Sequence, residues 1–513
     1  MKPARRRGRG GGCVLAIDQG TTATKAVLVD AKLRIVAEVS KEFPQHFPRP
    51  GWVEHDVEEI WGSVRAAVAA VLRGAGVSGG EIAAIGIANQ RETTALWDRE
   101  TGRPIARAIV WQDRRTDGIC RELRARGLEG LVRRATGLVI DPYFSGTKIA
   151  WLLRHVPGAA RRARSGRLLF GTIDSYLAWR LSGGDAHVTD VSNASRTLLM
   201  DLRSGAWNEE LLRELGVPRA ILPEIRGHDE VFARTRGLGW LPDGIPIASL
   251  IGDQQAALFG QACLEAGEAK CTYGTGAFLV VQAGSRIPRS RRGLLATAAW
   301  KRGSQMRYAL EGSTFIAGAA VQWLRDGLGI ISRSSDVDEL ARRVSDSEGV
   351  VFVPALTGLG APHWNPAARG AIRGLSRGTT AAHLARATLE GIAFQIRDLV
   401  EAVERDAGLA LCELRADGGA TASRVLMQFQ ADILGVPVLL PRYTSTTALG
   451  AAALAGLAVG FFSSEEEIRK SWRLRRVYRP RMGALERRRR VALWEEAVAT
   501  LRPPGAKKSP RPR

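Results

Sequence analysis

The stretch VLAIDQGTTATKAVLV, Val14–Val29, decides the fold. Four apolar residues, Val14–Ile17, run into Asp18-Gln19-Gly20-Thr21-Thr22, and a second β-type run, Ala26–Val29, follows. That pattern is a hairpin whose turn is built from glycine and small hydroxyl residues. In such a turn backbone N–H groups converge on one point and form a nest for an anion, most often phosphate. One such turn says little. The second half of the chain repeats it: Lys270–Tyr273 leads into Gly274-Thr275-Gly276, and Ala277–Gln282 is the return strand. Two nests, each after an apolar strand, suggest a triphosphate held between two lobes.

The flanking sequence supports a doubled plan. Glu54–Leu72 carries Val57, Ile60, Trp61, Val64, Val68, Val71 and Leu72 at helical spacing, with Glu54, Asp56, Glu58 and Glu59 in its first turns, where they complement the helix dipole. Ile82–Ile87 reads as a buried strand ending in Asn89-Gln90-Arg91-Glu92. Ile247–Ile251 leads into Gly252-Asp253-Gln254-Gln255. Leu414–Ala416 ends in Asp417-Gly418-Gly419-Ala420, ahead of a helix over Ser423–Leu434. Strands alternating with helices predict an α/β protein of two similar domains. Their boundary falls near 255–268 and is set at 13–258 and 259–500, with basic, disordered tails at 1–12 and 501–513.

Composition excludes several classes. The 513 residues are 45% hydrophobic and 25% charged, which is ordinary globular usage. The longest apolar candidate, Ala448–Phe462, is too short to span a bilayer and reads as a buried helix, so no integral membrane segment is expected. The basic start lacks the apolar core of a signal peptide, and a cytoplasmic protein is expected. Five scattered cysteines (Cys13, Cys120, Cys263, Cys271, Cys412) form no ligand cluster and read as small buried hydrophobes, reduced and without zinc. The net charge of +22 would suit nucleic acid, but each tail carries five basic residues, and a third cluster lies between Arg469 and Arg490. No aromatics are interleaved there, so no specific nucleic-acid partner is expected. No GxxxxGK[ST] is present, and no GxGxxG follows the first strand, so the P-loop and Rossmann routes are unsupported.

The motifs then become specific. DQGTT (Asp18–Thr22), GWVEHD (Gly51–Asp56), NQRETT (Asn89–Thr94), GLVIDPYFSGTK (Gly137–Lys148), GDQQAALFGQ (Gly252–Gln261), TYGTG (Thr272–Gly276), EGS-x-F-x-AGA (Glu311–Ala319), DGGA (Asp417–Ala420), and GAIRGLSRG followed by HLARATLEGIAFQ (Gly370–Gln395) stand in order. Over about residues 13 to 500 the chain resembles the FGGY carbohydrate kinase family, and its glycerol-phosphorylating members in particular. The resemblance implies two ribonuclease-H-like domains, of the actin, Hsp70 and hexokinase type, with an interdomain active-site cleft. It also implies transfer of phosphate from ATP to glycerol with Mg2+, and a homodimer or homotetramer.

Residue by residue, the resemblance places Arg91, Glu92, Tyr143, Asp253 and Gln254 on the glycerol hydroxyls, with Trp111 and Phe278 walling its carbons. Asp253 becomes the general base, because a primary alcohol must lose its proton as the phosphorus–oxygen bond forms. Asp253 also reads as an N-cap for the helix through Gln255–Phe259, a role compatible with catalysis. Thr21, Thr22, Ala23 and Lys25 fall on the phosphates, and Asp18 on hydrated magnesium. Thr275 and Gly276 face the β- and γ-phosphates from the other lobe. Gly318, Gln322, Gly419 and Ser423 line the nucleotide site. Ala23-Thr24 replaces a common Ser-Ser, Lys25 a common Arg, and Ser423 an Asn that usually contacts adenine. Lys25 keeps the charge without the bidentate fork, and the Ser423 hydroxyl reaches less far. Other polyol or sugar kinases, and a non-catalytic ATP-binding protein, are the competing readings; NQRE, Trp111-Gln112 and DPYFSGTK favour glycerol over other sugars.

Overall fold

The computed structural model describes residues 12–365 and 367–501. Of the two tails, therefore, only Gly12 and Leu501 are covered, and the expectation of disorder lies otherwise outside the described residues.

Two mixed sheets carry the molecule. In the first, Cys13–Gln19, Ala23–Val29 and Ile35–Glu42 form an antiparallel meander. Ile82–Asn89 lies parallel to Cys13–Gln19, and Pro246–Gly252 parallel to Ile82–Asn89. Ala233–Arg234 closes the far edge. In the second sheet Ala269–Tyr273, Ala277–Gly284 and Gln305–Thr314 form the same meander, extended by Leu295–Arg302. Leu414–Asp417 and then Val438–Pro441 add in parallel, and Leu474–Tyr478 ends the sheet. The two Gly-Thr turns thus occupy equivalent positions in two sheets of one plan.

Helices cover the sheets as the apolar spacing requires. Val57–Ala75 buries Val57, Ile60, Val64, Val68 and Val71. Asp56 caps it by accepting from Glu58 N at 2.9 Å, and Gly76 ends it in the left-handed conformation. The helix foreseen from Ser423 starts at Arg424, with Ser423 as its N-cap.

The strand Pro246–Gly252 runs straight into the helix Asp253–Gly260. Here one expectation is corrected: Gly252 is the N-cap, and Asp253 is the first helical residue. The strand ends without an intervening loop, and a Cβ at Gly252 would meet Arg91 Cδ at 2.7 Å, so only glycine fits the turn. The apolar stretch from Ala448 forms the helix Thr446–Ala458, buried as foreseen. It packs with Val14, Ala16, Ala84, Ala88, Ala248, Ile251 and Leu258, and the same core reaches Val280 and Trp300 of the second sheet. Its approach to Asp253–Gly260 is backbone to backbone: a Cβ at Gly450 would lie 1.8 Å from Ala256 O, and one at Gly260 2.0 Å from Thr446 O. This crossing joins the halves.

A second correction concerns the thiols. All five cysteines are free and four are buried, but Cys412 is exposed, because it lies in the loop before Leu414–Asp417. Among the described residues no helix is long and apolar enough to cross a membrane.

Candidate active site

Three parallel strands set the site. Gln19 pairs with Asn89, and Asn89 with Gly252, so the C-terminal ends of Cys13–Gln19, Ile82–Asn89 and Pro246–Gly252 form one row. The chain beyond that row supplies Gly20–Thr22, Gln90–Glu92 and Asp253–Gln254. Ligands of open α/β sheets bind at this carboxyl edge.

Arg91 organises the centre. It is 2% exposed, and its Nη1 and Nη2 donate to Glu311 Oε2 and Oε1 at 2.5 and 2.7 Å, across from the second sheet. Its Nη1 also donates to Gln255 Oε1 at 3.2 Å, and its Nε lies 3.3 Å from Asp253 Oδ1. Asp253 keeps 29% of its side chain exposed. Its Oδ1 accepts from Gln254 N at 2.7 Å and its Oδ2 from Gln254 Nε2 at 3.2 Å. Lys270 Nζ donates to Gln254 Oε1, fixing which way that amide faces, and to Thr272 Oγ1 at 3.0 Å.

Glu92 has a φ of 61°, a costly conformation for a non-glycine residue. Thr94 Oγ1 and Ser145 Oγ each donate to its carbonyl at 3.0 Å and hold the kink. The Glu92 carboxylate accepts from Arg196 Nε at 2.6 Å. Burial pushes the Glu92 pKa up against the pull of Arg196 and Arg91. Burial also works on Glu311, but there Arg196 and Arg91 prevail and bring it down to about 2.

The aromatic wall comes from both lobes. Trp111 meets Tyr143 edge-on at 5.7 Å and Phe278 at 6.4 Å, and its Nε1 donates to Thr21 Oγ1 at 2.9 Å. The residue expected to wall the carbons and one expected on the phosphates are therefore hydrogen-bonded to each other. Burial first, and then the Glu92 charge, drives the Tyr143 hydroxyl upward, so it stays a neutral phenol.

The first turn is closed by Gly20 N donating to Ala23 O at 3.0 Å. Lys25 Nζ donates to Ser445 Oγ at 3.0 Å, and Ser445 Oγ to Glu38 Oε2 at 2.7 Å, tying the turn to the second half of the chain. Burial, with Asp253 adding to it and Lys25 opposing, raises the Asp18 carboxyl to about 7. Among the described residues no cluster of three or more His, Cys, Asp or Glu could hold a metal. Magnesium needs fewer, commonly one or two carboxylates with phosphate and water oxygens, and Asp18 suits that donor set.

In the second turn Gly274 N donates to Gly276 O at 2.9 Å, and Ala317 N and Ala319 N donate to Thr275 O at 2.8 and 3.0 Å. A Cβ at Gly276 would lie 2.4 Å from Thr314 O, and one at Gly318 2.7 Å from Gly274 O. The turn is thereby seated on the start of the helix Gly318–Asp326, with Thr275 and Gln322 exposed beside it. Gly419 is exposed in the short 3-10 segment Gly419–Ala422. Ser423 is buried, and its oxygen is engaged: it accepts from Leu426 N at 3.1 Å and donates to Asp338 Oδ1 at 2.6 Å.

The structure thus brings Arg91, Glu92, Asp253, Gln254 and the Trp111–Tyr143–Phe278 wall together. Asp18, Thr21, Thr22, Ala23 and Lys25 sit on or beside the first turn, and Thr275, Gly276, Gly318 and Gln322 form the second. Sequence reasoning passed over Glu311, Arg196, Lys270 and Gln255 as working residues. A signal existed for two of them: Lys270 is the one charge in Ala269–Tyr273, and Glu311 the one charge in the buried run 308–312 of Gln305–Thr314.

Two lobes of one plan, each with a glycine-threonine turn, around a half-exposed carboxylate and an aromatic wall define a phosphoryl-transfer cleft. Family models agree. The N-terminal domain of the FGGY family of carbohydrate kinases matches residues 13–260, and its C-terminal domain residues 269–459. The chain belongs to the FGGY family of carbohydrate kinases. It is 58% identical over 487 residues to glycerol kinase of Myxococcus xanthus, covering 94% of this chain and 98% of that one. The crystal structure of Plasmodium falciparum glycerol kinase with ADP superposes with a TM-score of 0.91 at 36% identity, over 96% of this chain and 98% of that one. Xylulose kinase from Rhodospirillum rubrum, at 26% identity, superposes with a TM-score of 0.84 over 95% and 99%.

Proposed function

We propose that this protein transfers the γ-phosphoryl group of ATP to glycerol, giving sn-glycerol 3-phosphate and ADP. The observation that carries the reading is Asp253: a partly exposed carboxylate held by Arg91 and Gln254 at the carboxyl edge of the first sheet.

Glycerol offers three hydroxyls on a short carbon chain. Arg91, Glu92, Tyr143, Asp253 and Gln254 supply donors and acceptors for the hydroxyls, and Trp111 and Phe278 flank the carbons. Such a pocket rejects analogues lacking a hydroxyl, because its buried polar groups would be left unpaired. The reacting hydroxyl oxygen attacks the γ-phosphorus while the bond to the departing ADP oxygen breaks, and Asp253 accepts the hydroxyl proton. Little else is covalent, so positioning and charge neutralisation supply most of the rate. The backbone and side chains of Thr21, Thr22 and Ala23, with Lys25, take the phosphates from one lobe, and Thr275 and Gly276 take them from the other. Gly318, Gln322, Gly419 and Ser423 border the rest of the nucleotide, with Ser423 acting through the cap it makes for Arg424–Leu434. Asp18 holds the magnesium, which when bound neutralises charge on the β- and γ-phosphates.

On this reading residues 13–258 carry glycerol and the first phosphate turn, residues 259–500 the second turn and the nucleotide, and the reaction runs in the cytoplasm, where ATP is supplied. The test is ADP release by the purified protein with glycerol and Mg-ATP, against the same mixture without glycerol. Release that does not depend on glycerol contradicts the reading.

A further inference from the structure

Arg196 lies just after the short helix Val191–Ala194 and is fully buried. Its Nε donates to Glu92 Oε1 at 2.6 Å, and its Nη2 lies 3.5 Å from Glu311 Oε1. Its guanidinium sits 5.4 Å from the Tyr143 ring centre and 5.1 Å from that of Phe144. Neither Nη1 nor Nη2 has a hydrogen-bond acceptor among the described residues. A buried guanidinium whose terminal N–H groups have no hydrogen-bond acceptor is costly, and its charge is answered only by Glu92 and, at longer range, Glu311. What the side chain does make is one short charge-assisted bond to the carboxylate next to Arg91.

We propose that Arg196 is a positioning residue for the reaction: it holds Glu92 in one rotamer and keeps it a charged acceptor for the glycerol hydroxyls, without touching glycerol itself. The inference rests on the glycerol-kinase reading above. Glu92 is faced by Arg91 from its own loop, by Arg196, by Glu311 of the second sheet, by the Tyr143 phenol and by Lys148. Glu311 is already spanned by Arg91 through both oxygens, so Arg91 alone cannot satisfy both acids. With Arg196 removed, burial and the Glu311 charge both push Glu92 towards its protonated form. A protonated Glu92 is a poor acceptor, so the defect must appear in glycerol binding and deepen as pH falls.

The experiment compares parent, Arg196→Gln and Arg196→Lys, with glycerol and ATP varied separately over pH 6 to 9. For Arg196→Gln the expected result is a rise in KM for glycerol of roughly 10- to 100-fold, the scale of losing a charged hydrogen-bond partner. KM for ATP should stay within about twofold. The kcat/KM for glycerol, measured at saturating Mg-ATP, should gain an acid limb beyond any that Asp18 gives the parent. Arg196→Lys keeps the charge, so it should remove the new limb and recover part of the affinity. An unchanged glycerol KM with no new limb overturns the proposal, as does a loss that falls equally on glycerol and ATP. If Arg196→Gln does not fold, the Arg196→Lys split between glycerol and ATP decides. If neither folds, Arg196 is a folding residue and the proposal is overturned. A parent that ignores glycerol refutes the functional reading instead, which separates the two failures.

Discussion

Asp253 bears the heaviest chemical assignment. In Asp253→Asn the shape of the side chain is nearly kept, and the amide oxygen can still accept from Gln254 N, but the group cannot take a proton. Turnover should fall about 10²- to 10⁴-fold while glycerol affinity, read by calorimetry, stays close to the parent's. Turnover within tenfold of the parent would remove Asp253 from the role of base. Glu311 tests the cross-lobe fork. Glu311→Gln leaves the Arg91 and Arg196 guanidiniums short of a buried counter-charge, which typically costs about 3–5 kcal/mol. Urea denaturation should show that loss whether or not glycerol is present. At this scale the sequence was informative where residues lie together along the chain, as in Gln90–Glu92 or Asp253–Gln254. It was silent on which partner arrives from another element: Lys270 and Glu311 stand out as charges in buried strand segments, but their partners, and any sign of Arg196, come only when the elements pack together. Ser423 marks a different limit. Its hydroxyl is engaged by Leu426 N and Asp338, an arrangement that depends on a helix far away in sequence.

Elements were legible where periodicity was strong. The strands at both Gly-Thr turns and the buried helix near residue 450 follow from apolar spacing; so does the helix read over Glu54–Leu72, except that Glu54–His55 is a strand, Asp56 the cap and Val57 the first helical residue. The place of Thr446–Ala458 did not follow, because an Ala- and Gly-rich helix with no polar face carries no direction in its sequence. The structure lays it against both the first sheet and Asp253–Gly260. That crossing yields a prediction. Gly450→Ala puts a methyl where Ala256 O stands, and backbone cannot give way as a side chain can. The expected cost is about 1–3 kcal/mol or more in chemical denaturation, with kcat falling as the helix bearing Asp253 shifts. A variant as stable and active as the parent would mean the helices are not so closely packed.

At the scale of the whole molecule, stability depends on pH through buried titratable groups. Burial, aided by His46, pushes the His55 imidazole down to about 4, and burial does the same to His187, whose Nε2–H donates to Phe170 O at 2.7 Å. At these two histidines the folded protein therefore binds fewer protons than the unfolded chain between about pH 6.5 and 4, whereas Asp18 and Asp174, both raised to about 7 chiefly by burial, bind more over the same range. The stability these two groups contribute is full above 6.5 and is lost as pH falls towards 4. As pH is lowered from 6.5 to 4 the parent's melting temperature should fall more steeply, or rise less, than that of a His55→Gln/His187→Gln double variant; parallel curves would contradict it. The basic ends give a second test. Each carries five of the chain's basic residues, and the family models begin at residue 13 and end at 459. A chain cut to residues 12–501 should keep its activity and lose salt-sensitive retention on heparin, since such binding scales with the cations engaged. Collapse of activity would assign the ends to the fold or to an oligomer interface.

The central claim is the pairing of this cleft with glycerol. Steady-state ADP release by the full chain, with Mg-ATP and each of glycerol, dihydroxyacetone, xylulose and gluconate at matched concentrations, tests it most directly. The account predicts that glycerol gives the highest kcat/KM, that xylulose and gluconate give little above the rate without acceptor, and that the product with glycerol is sn-glycerol 3-phosphate. A higher kcat/KM for xylulose or gluconate, or ADP release indifferent to every acceptor, would contradict it.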